Sequence, residues 1–225
     1  GSSAASDVYK RQPKYIKLDY GTFSGNLIRQ GGTFLGTTNK GNPFKYPMPD
    51  GTFKDRTKEI VGGYHEMGLD GLIVIGGDGS MKIIKEIADK GNLNIVAIPK
   101  TIDNDVGATE SSIGFHTAVD VATNALDNLQ FTAASHSRTM ILEVMGRDAG
   151  HIALNAGIAG GADVILIPEI NYTINGIIKK LKQLNSYGIK HSLIVVAEAV
   201  KQENGKNSTV KFADGETRLG GIGSY

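Results

Sequence analysis

Ile73-Val74-Ile75-Gly76-Gly77-Asp78-Gly79-Ser80 and Ala97-Ile98-Pro99-Lys100-Thr101-Ile102-Asp103-Asn104-Asp105 decide how the chain reads. Each is an apolar run with the character of a buried strand, ending in a loop dense in glycine or carboxylate. In open α/β sheets, ligands bind at the loops beyond the carboxyl ends of strands. Glycines at 76, 77 and 79 remove the side chains that would hold a backbone away from phosphate oxygens. Ser80 suits the N-cap of a helix with Met81, Ile84, Ile87 and Ala88 at helical spacing, and a helix N-terminus attracts anions. Asp78 lies inside that cradle, where a bare carboxylate repels phosphate; a Mg²⁺ between the two resolves the contradiction. Taken alone, Gly-Gly-Asp-Gly is equally a plain turn. The second loop shifts the balance, because clustering Asp103 and Asp105 is costly for folding alone. Beside a phosphate and metal site, one of them suits the base that takes a hydroxyl proton.

Outward from these loops, helical spacing places Ile60, Val61, Tyr64 and Met67 on one face over 57–67. The same spacing places Ala118, Ala122, Ala125, Leu126 and Leu129 on one face over 115–129. Ile174, Ile177, Ile178, Leu181 and Leu184 make the clearest amphipathic helix. Apolar runs at 71–75, 94–98, 139–144, 163–168 and 193–197 read as strands. Strands alternating with helices predict an α/β fold with doubly wound, mostly parallel sheets. The helix from 115 divides it into lobes at 13–114 and 115–225. Segments 13–30, 42–51 and 201–206 read as connections. A helix expected over 149–157 starts just past Arg147, where a cation opposes the helix dipole. An anion bound there removes the conflict; pairing with Asp148 or solvent is the alternative.

Gly-Gly-Asp-Gly-Ser at 76–80, Pro-Lys-Thr-Ile-Asp-Asn-Asp at 99–105 and Glu143-Val144-Met145-Gly146-Arg147 follow one another in an order and spacing that resemble the 6-phosphofructokinase family. The resemblance runs from 31 to 225. It implies a two-lobed, Rossmann-like fold, with the nucleotide on the first lobe and the sugar phosphate on the second. It also implies phosphoryl transfer from MgATP to the 1-hydroxyl of fructose 6-phosphate, in glycolysis, by a cytoplasmic homo-oligomer. Asp103 would take the proton, with Asp105, Thr101 and Ile102 positioning substrate and metal. Asp78 would hold Mg²⁺, and Gly77, Asp78, Gly79 and Ser80 the donor phosphates. Lys40 stands where relatives often place an arginine near the transferred phosphate, although a solvated loop lysine is the plainer alternative. Met145, Gly146 and Arg147 would hold the sugar phosphate, and Arg138 would reach the sugar phosphate of a neighbouring subunit. Glu198 would bind sugar hydroxyls, although a glutamate after a strand is commonly just solvated. Pyrophosphate-dependent relatives usually carry aspartate where this chain has Gly79, and lysine where it has Lys100. Open space at Gly79 favours ATP, because rejection sets specificity.

Composition narrows the remaining classes. A 225-residue chain that is 40% apolar can bury a large core. A net charge of +1 gives no argument for nucleic acid or an anionic membrane, and no apolar run approaches the roughly 20 residues of a membrane span. With no cysteine there is neither disulfide nor thiolate metal site. His136, His151 and His191 lack the spacing of a metal triad. Residues 1–12 read as foreign to the protein, since Asp7-Val8-Tyr9-Lys10-Arg11-Gln12 is what a transposon end used in sequencing libraries encodes. The family's opening glycine loop and its later Leu-Gly-His segment do not occur in the sequence. The expectation is therefore a piece open at both ends and inactive in isolation. Two other readings stay open: a pyrophosphate-dependent transferase, and a sugar-phosphate-binding module that turns nothing over. A lipid or NAD kinase shares the Gly-Gly-Asp-Gly loop but predicts neither of the other motifs.

Overall fold

The computed structural model describes residues 15–23, 25, 27–33, 35–36, 41–211 and 217–225. They fall into two compact units, one within 1–74 and 79–98, the other within 75–78 and 99–225.

In the first unit, the stretch read as a loop over 42–51 contains half of an antiparallel hairpin. Its strands are β1 (Tyr46–Pro47) and β2 (Phe53–Lys54). Helix α1 (Thr57–Glu66) follows, with Asp55 accepting the Thr57 N–H at 2.8 Å. Strand β3 (Leu72–Gly76) leads directly into α2 (Asp78–Gly91), and β4 (Ile95–Thr101) follows. Tyr64, Ile87, Ala88 and Leu93 form the core, with Leu72 and Ile95 packed on it. The next residue along each strand points the other way: Ile73, Ile75 and Val96 are more than 60% exposed. The expectation of a fully buried strand at β3 is thus corrected to one covered on a single face. The end of β4, which belongs to the second unit, pairs in parallel with β5 (Ile113–Gly114).

The second unit is organised on β8 (Ser192–Ala197), every residue of which is buried. It lies between β6 (Thr139–Val144) and β7 (Val164–Leu166), parallel to both. A continuous apolar run with no polar alternation is the pattern of a strand covered on both faces. Helices α3 (Phe115–His136) and α4 (His151–Ala159) cover it. Leu126, Ala133, Ala153 and Val195 are wholly excluded from solvent. Burying a residue such as Leu126 or Val195 contributes roughly 1.5–3 kcal/mol. Helix α3 runs past 129 because Ala133, seven residues beyond Leu126, keeps the buried stripe going. It ends at Ser137, whose φ of 50° breaks the repeat. Helix α5 (Ile174–Ser186) is capped by Thr173, which accepts the Gly176 N–H at 3.0 Å. A second hairpin, β9 (Thr209–Lys211) with β10 (Thr217–Leu219), follows the polar loop and was not expected.

Candidate functional site

The loop after β4 is held shut at its neck. Ser112 donates from its backbone to Asn104 Oδ1 at 2.8 Å and from its hydroxyl to the Thr101 carbonyl at 2.7 Å. This bracing lets Asn104 sit at a φ of 54° between the two aspartates. Such left-handed positions cost free energy and persist only where the surroundings over-determine them. Thr101 donates its hydroxyl to Asp103 Oδ2 at 2.9 Å, and the Asp103 N–H returns to Thr101 Oγ1 at 3.2 Å. Asp103 is buried. Burial is the main cause that pushes its carboxyl above the usual aspartate range. The Thr101 hydrogen bond opposes the shift, and Asp105 reinforces it. The Arg147 guanidinium also acts on this carboxyl and favours its ionised form. Asp105 Oδ1 is buried with no hydrogen-bond partner among the described residues. An orphaned carboxylate oxygen is expensive unless a ligand satisfies it.

Sequence reading places Asp78, Gly79 and Ser80 around a helix start, and the helix does start there, but not where Ser80 would cap it. Helix α2 begins at Asp78, so Ser80 is already its third residue. The chain enters the helix directly from β3, and Asp78 supplies the acidic side chain in the first turn, favourable for the dipole. A Cβ on Gly77 would lie 3.5 Å from that of Thr101, an ordinary contact, while one on Gly79 would meet nothing within 4 Å. Lys40 lies outside the described residues. Lys100 is exposed at the end of β4.

The third motif forms a turn. Ala149 N–H donates to the Gly146 carbonyl at 3.0 Å, and α4 starts only at His151. The expected helix start at 149 is therefore corrected, and Arg147 stands four residues before the helix, beyond the reach of its terminal dipole. Its conformation carries the functional hint instead: Arg147 has φ 51°, beside Gly146 at 153°. At Gly146 a Cβ would fall 2.4 Å from the Ala149 carbonyl oxygen, so only glycine fits. Glu198 locks the turn, accepting the Gly146 and Arg147 N–H groups on Oε1 at 3.1 and 2.8 Å. Its expected contact with sugar hydroxyls is thus joined by a structural duty that the sequence did not signal. We predict that Glu198→Ala lowers stability by about 2–3 kcal/mol, because a buried N–H loses a charged acceptor. Glu198→Gln, which keeps a carbonyl oxygen, should lose less than half of that in urea unfolding. Equal losses would mean that the charge, not the acceptor, holds the turn.

A pocket of about 780 Å³ opens at the end of β6, lined by Met145, Arg147, Asp148, Glu198 and, from the second hairpin, Arg218. Arg138 precedes β6 whereas Arg147 follows it. Six strand residues at about 3.3 Å each put the two roughly 20 Å apart. The structure thus brings Arg147 and Glu198 to one pocket and leaves Arg138 at the far end of the strand. Among the described residues no helix is long and apolar enough to cross a membrane.

Fold and site define an α/β protein whose strand-end loops present glycine, carboxylate and arginine, groups whose chemistry suits phosphate. A family model described as phosphofructokinase matches residues 8–220, and the chain belongs to that family. Part of the stretch set aside at 1–12 therefore falls within the match. A relative from Nostoc sp., named ATP-dependent 6-phosphofructokinase 1, is 58% identical over 222 residues. That alignment covers 99% of this chain and 62% of the relative, so the chain spans about three-fifths of the relative's length. Phosphofructokinase from Saccharomyces cerevisiae superposes with a TM-score of 0.65 at 32% identity, over 78% of this chain and 26% of that one. A pyrophosphate-dependent phosphofructokinase from Nitrosospira multiformis superposes with a TM-score of 0.60 at 25% identity, over 67% of this chain and 42% of that one.

Proposed function

We propose that this chain carries the catalytic segment of an ATP-dependent 6-phosphofructokinase, transferring the γ-phosphoryl group of ATP to the 1-hydroxyl of fructose 6-phosphate. The observation that carries the reading is the braced loop at 101–112, which holds a buried carboxylate with raised proton affinity beside a second, orphaned one. Asp103 takes the hydroxyl proton as the sugar oxygen bonds to the γ-phosphorus and the bond to the bridging oxygen of ADP breaks. Thr101 and Ile102 position the acceptor. Gly77, Asp78, Gly79 and Ser80, with Lys40, meet the donor phosphates, and Arg147 balances the charge that moves.

Mg²⁺ fits the oxygen donors present, since Asp78 and the unpartnered oxygen of Asp105 are the hard ligands that ion prefers alongside phosphates. When bound, it would neutralise donor-phosphate charge. Met145, Gly146 and Arg147 hold the sugar phosphate, and Glu198 accepts from the sugar hydroxyls. The end-of-strand position of Arg138 supports its service to a neighbouring subunit's site, which makes the active unit an oligomer. In this reading residues 13–114 serve the nucleotide, residues 115–225 serve the sugar phosphate, and the enzyme works in the cytoplasm. The relative at 58% identity is named for ATP, and the pyrophosphate-dependent neighbour stands at 25%. Open space at Gly79 favours the same donor, although Lys100 is shared with pyrophosphate users.

A chimera in which this chain replaces the matching stretch of the Nostoc relative tests the chemistry. Phosphorus NMR should show a second phosphomonoester, on carbon 1 of the sugar, formed with ADP. The acid limb of its kcat/KM profile should lie above the ordinary aspartate range, because the base must lose a proton that burial retains. Phosphate arriving on another carbon, or an acid limb at the ordinary value, would remove Asp103 from this role.

A further inference from the structure

The turn at 146–150 carries Arg147 between two glycines, Gly146 and Gly150, both buried. Glu198 holds the first end. The second end is held by a residue that no motif marks, Glu169, whose Oε1 accepts the Gly150 N–H at 2.8 Å. Gly150 is the N-cap of α4, so this carboxylate also stands at the positive end of the helix dipole.

The packing there leaves Gly150 no room to shift. A Cβ on it would fall 2.4 Å from that of Ile167 and 2.7 Å from Glu169 Oε2, so the backbone lies flat against the segment that follows β7. The sheet order is β6-β8-β7. The turn after β6 is therefore fastened by carboxylates that follow the other two strands, Glu198 after β8 and Glu169 after β7. Between these fastenings Arg147 keeps a φ of 51°, a conformation that persists only where its surroundings enforce it. The helix start beyond Gly150 is packed in turn against the loop of the two aspartates. His151 meets Phe115 edge to face with ring centroids 6.4 Å apart, and Ile152 shares a buried cluster with Phe115, against which Ile102 packs.

We propose that Glu169 is a positioning residue for Arg147: by holding Gly150 it fixes the far end of the turn, and so the place where the guanidinium meets the moving phosphoryl charge. This rests on Arg147 serving phosphoryl transfer to fructose 6-phosphate. The action of Glu169 is through the turn, not on the substrate.

Steady-state kinetics of the Nostoc chimera test it in a double-mutant cycle with Arg147→Ala. Glu169→Ala should lower kcat/KM for fructose 6-phosphate by about ten- to a hundredfold, the upper figure being what a misplacement of about 1 Å costs. The KM for ATP should stay within about twofold. In the Arg147→Ala background the same change should cost less than about twofold, because the group it positions is gone. Glu169→Gln, which keeps an oxygen for the Gly150 N–H, should stay within about threefold of the parent. Equal losses from Glu169→Ala in both backgrounds would make the role merely structural and overturn the proposal. So would a loss in Glu169→Gln as large as that in Glu169→Ala, which would put charge at the helix start in place of the hydrogen bond. A parent chimera that does not turn over fructose 6-phosphate would overturn the reading of Arg147, and this inference with it.

Discussion

Asp103→Asn in the Nostoc chimera is expected to lower kcat by about 10²- to 10⁴-fold, the usual worth of a positioned general base. Asparagine keeps an oxygen for the Thr101 hydroxyl and so keeps the loop geometry. The KM for fructose 6-phosphate should therefore stay within about threefold, since the change removes a transition-state function rather than uniform binding. Stability should move the other way. The folded-state proton affinity of Asp103 is raised above its unfolded value, chiefly by burial. Between those two values the folded form holds more protons, so this group's contribution to stability is greatest at low pH. It is lost as pH rises through the raised value. Asparagine abolishes the loss, and the variant should unfold at an equal or higher temperature than the parent at neutral pH. A large fall in both kcat and thermal stability would mean that Asp103 holds the loop rather than taking a proton.

Gly79→Asp should exchange donor preference without disturbing the fold. A Cβ at this position meets nothing within 4 Å, so a side chain can start there without a clash. The main effect of the substitution is then expected on the ligand. An added carboxylate about 4 Å from a nucleotide phosphate, at an effective dielectric near 20, repels it by about 4 kcal/mol. That corresponds to a loss of roughly 10²- to 10³-fold in kcat/KM for ATP, with the lower end expected where solvent screens the pair. Pyrophosphate, which has no α-phosphate in that space, should be tolerated. Equal losses for ATP and pyrophosphate would place the effect on the loop conformation and end the steric account of donor choice.

The parallel sheets were legible because the strands of this fold are either continuous apolar runs or apolar runs stopped by glycine. β6 lies over 139–144 as its pattern predicts, and β8 and β7 depart by one or two residues at their ends. The two hairpins were not legible. β1 and β2 are two residues each, too short for alternation to register, and β9 and β10 are stabilised from outside by Glu143 on β6, which accepts the Gly221 and Gly223 N–H groups. Asp103 could be singled out because two neighbouring carboxylates need a reason. Asn104 and Ser112 could not, because their value lies in a hydrogen bond across eight residues. Ser80 misled because a serine directly ahead of an apolar stripe suits a cap, while Asp78 had already begun the helix. Arg147 drew attention for a helix terminus that starts later than expected, although its strained turn makes it conspicuous for a different reason.

The most direct test of the central claim is a coupled assay for fructose 1,6-bisphosphate on the Nostoc chimera. ATP and pyrophosphate are supplied separately, with Asp103→Asn run alongside. The account predicts turnover with ATP alone, dependent on Mg²⁺ and lost in Asp103→Asn. Turnover with pyrophosphate alone would contradict the donor argument built on Gly79, and turnover that survives in Asp103→Asn would contradict the catalytic loop itself.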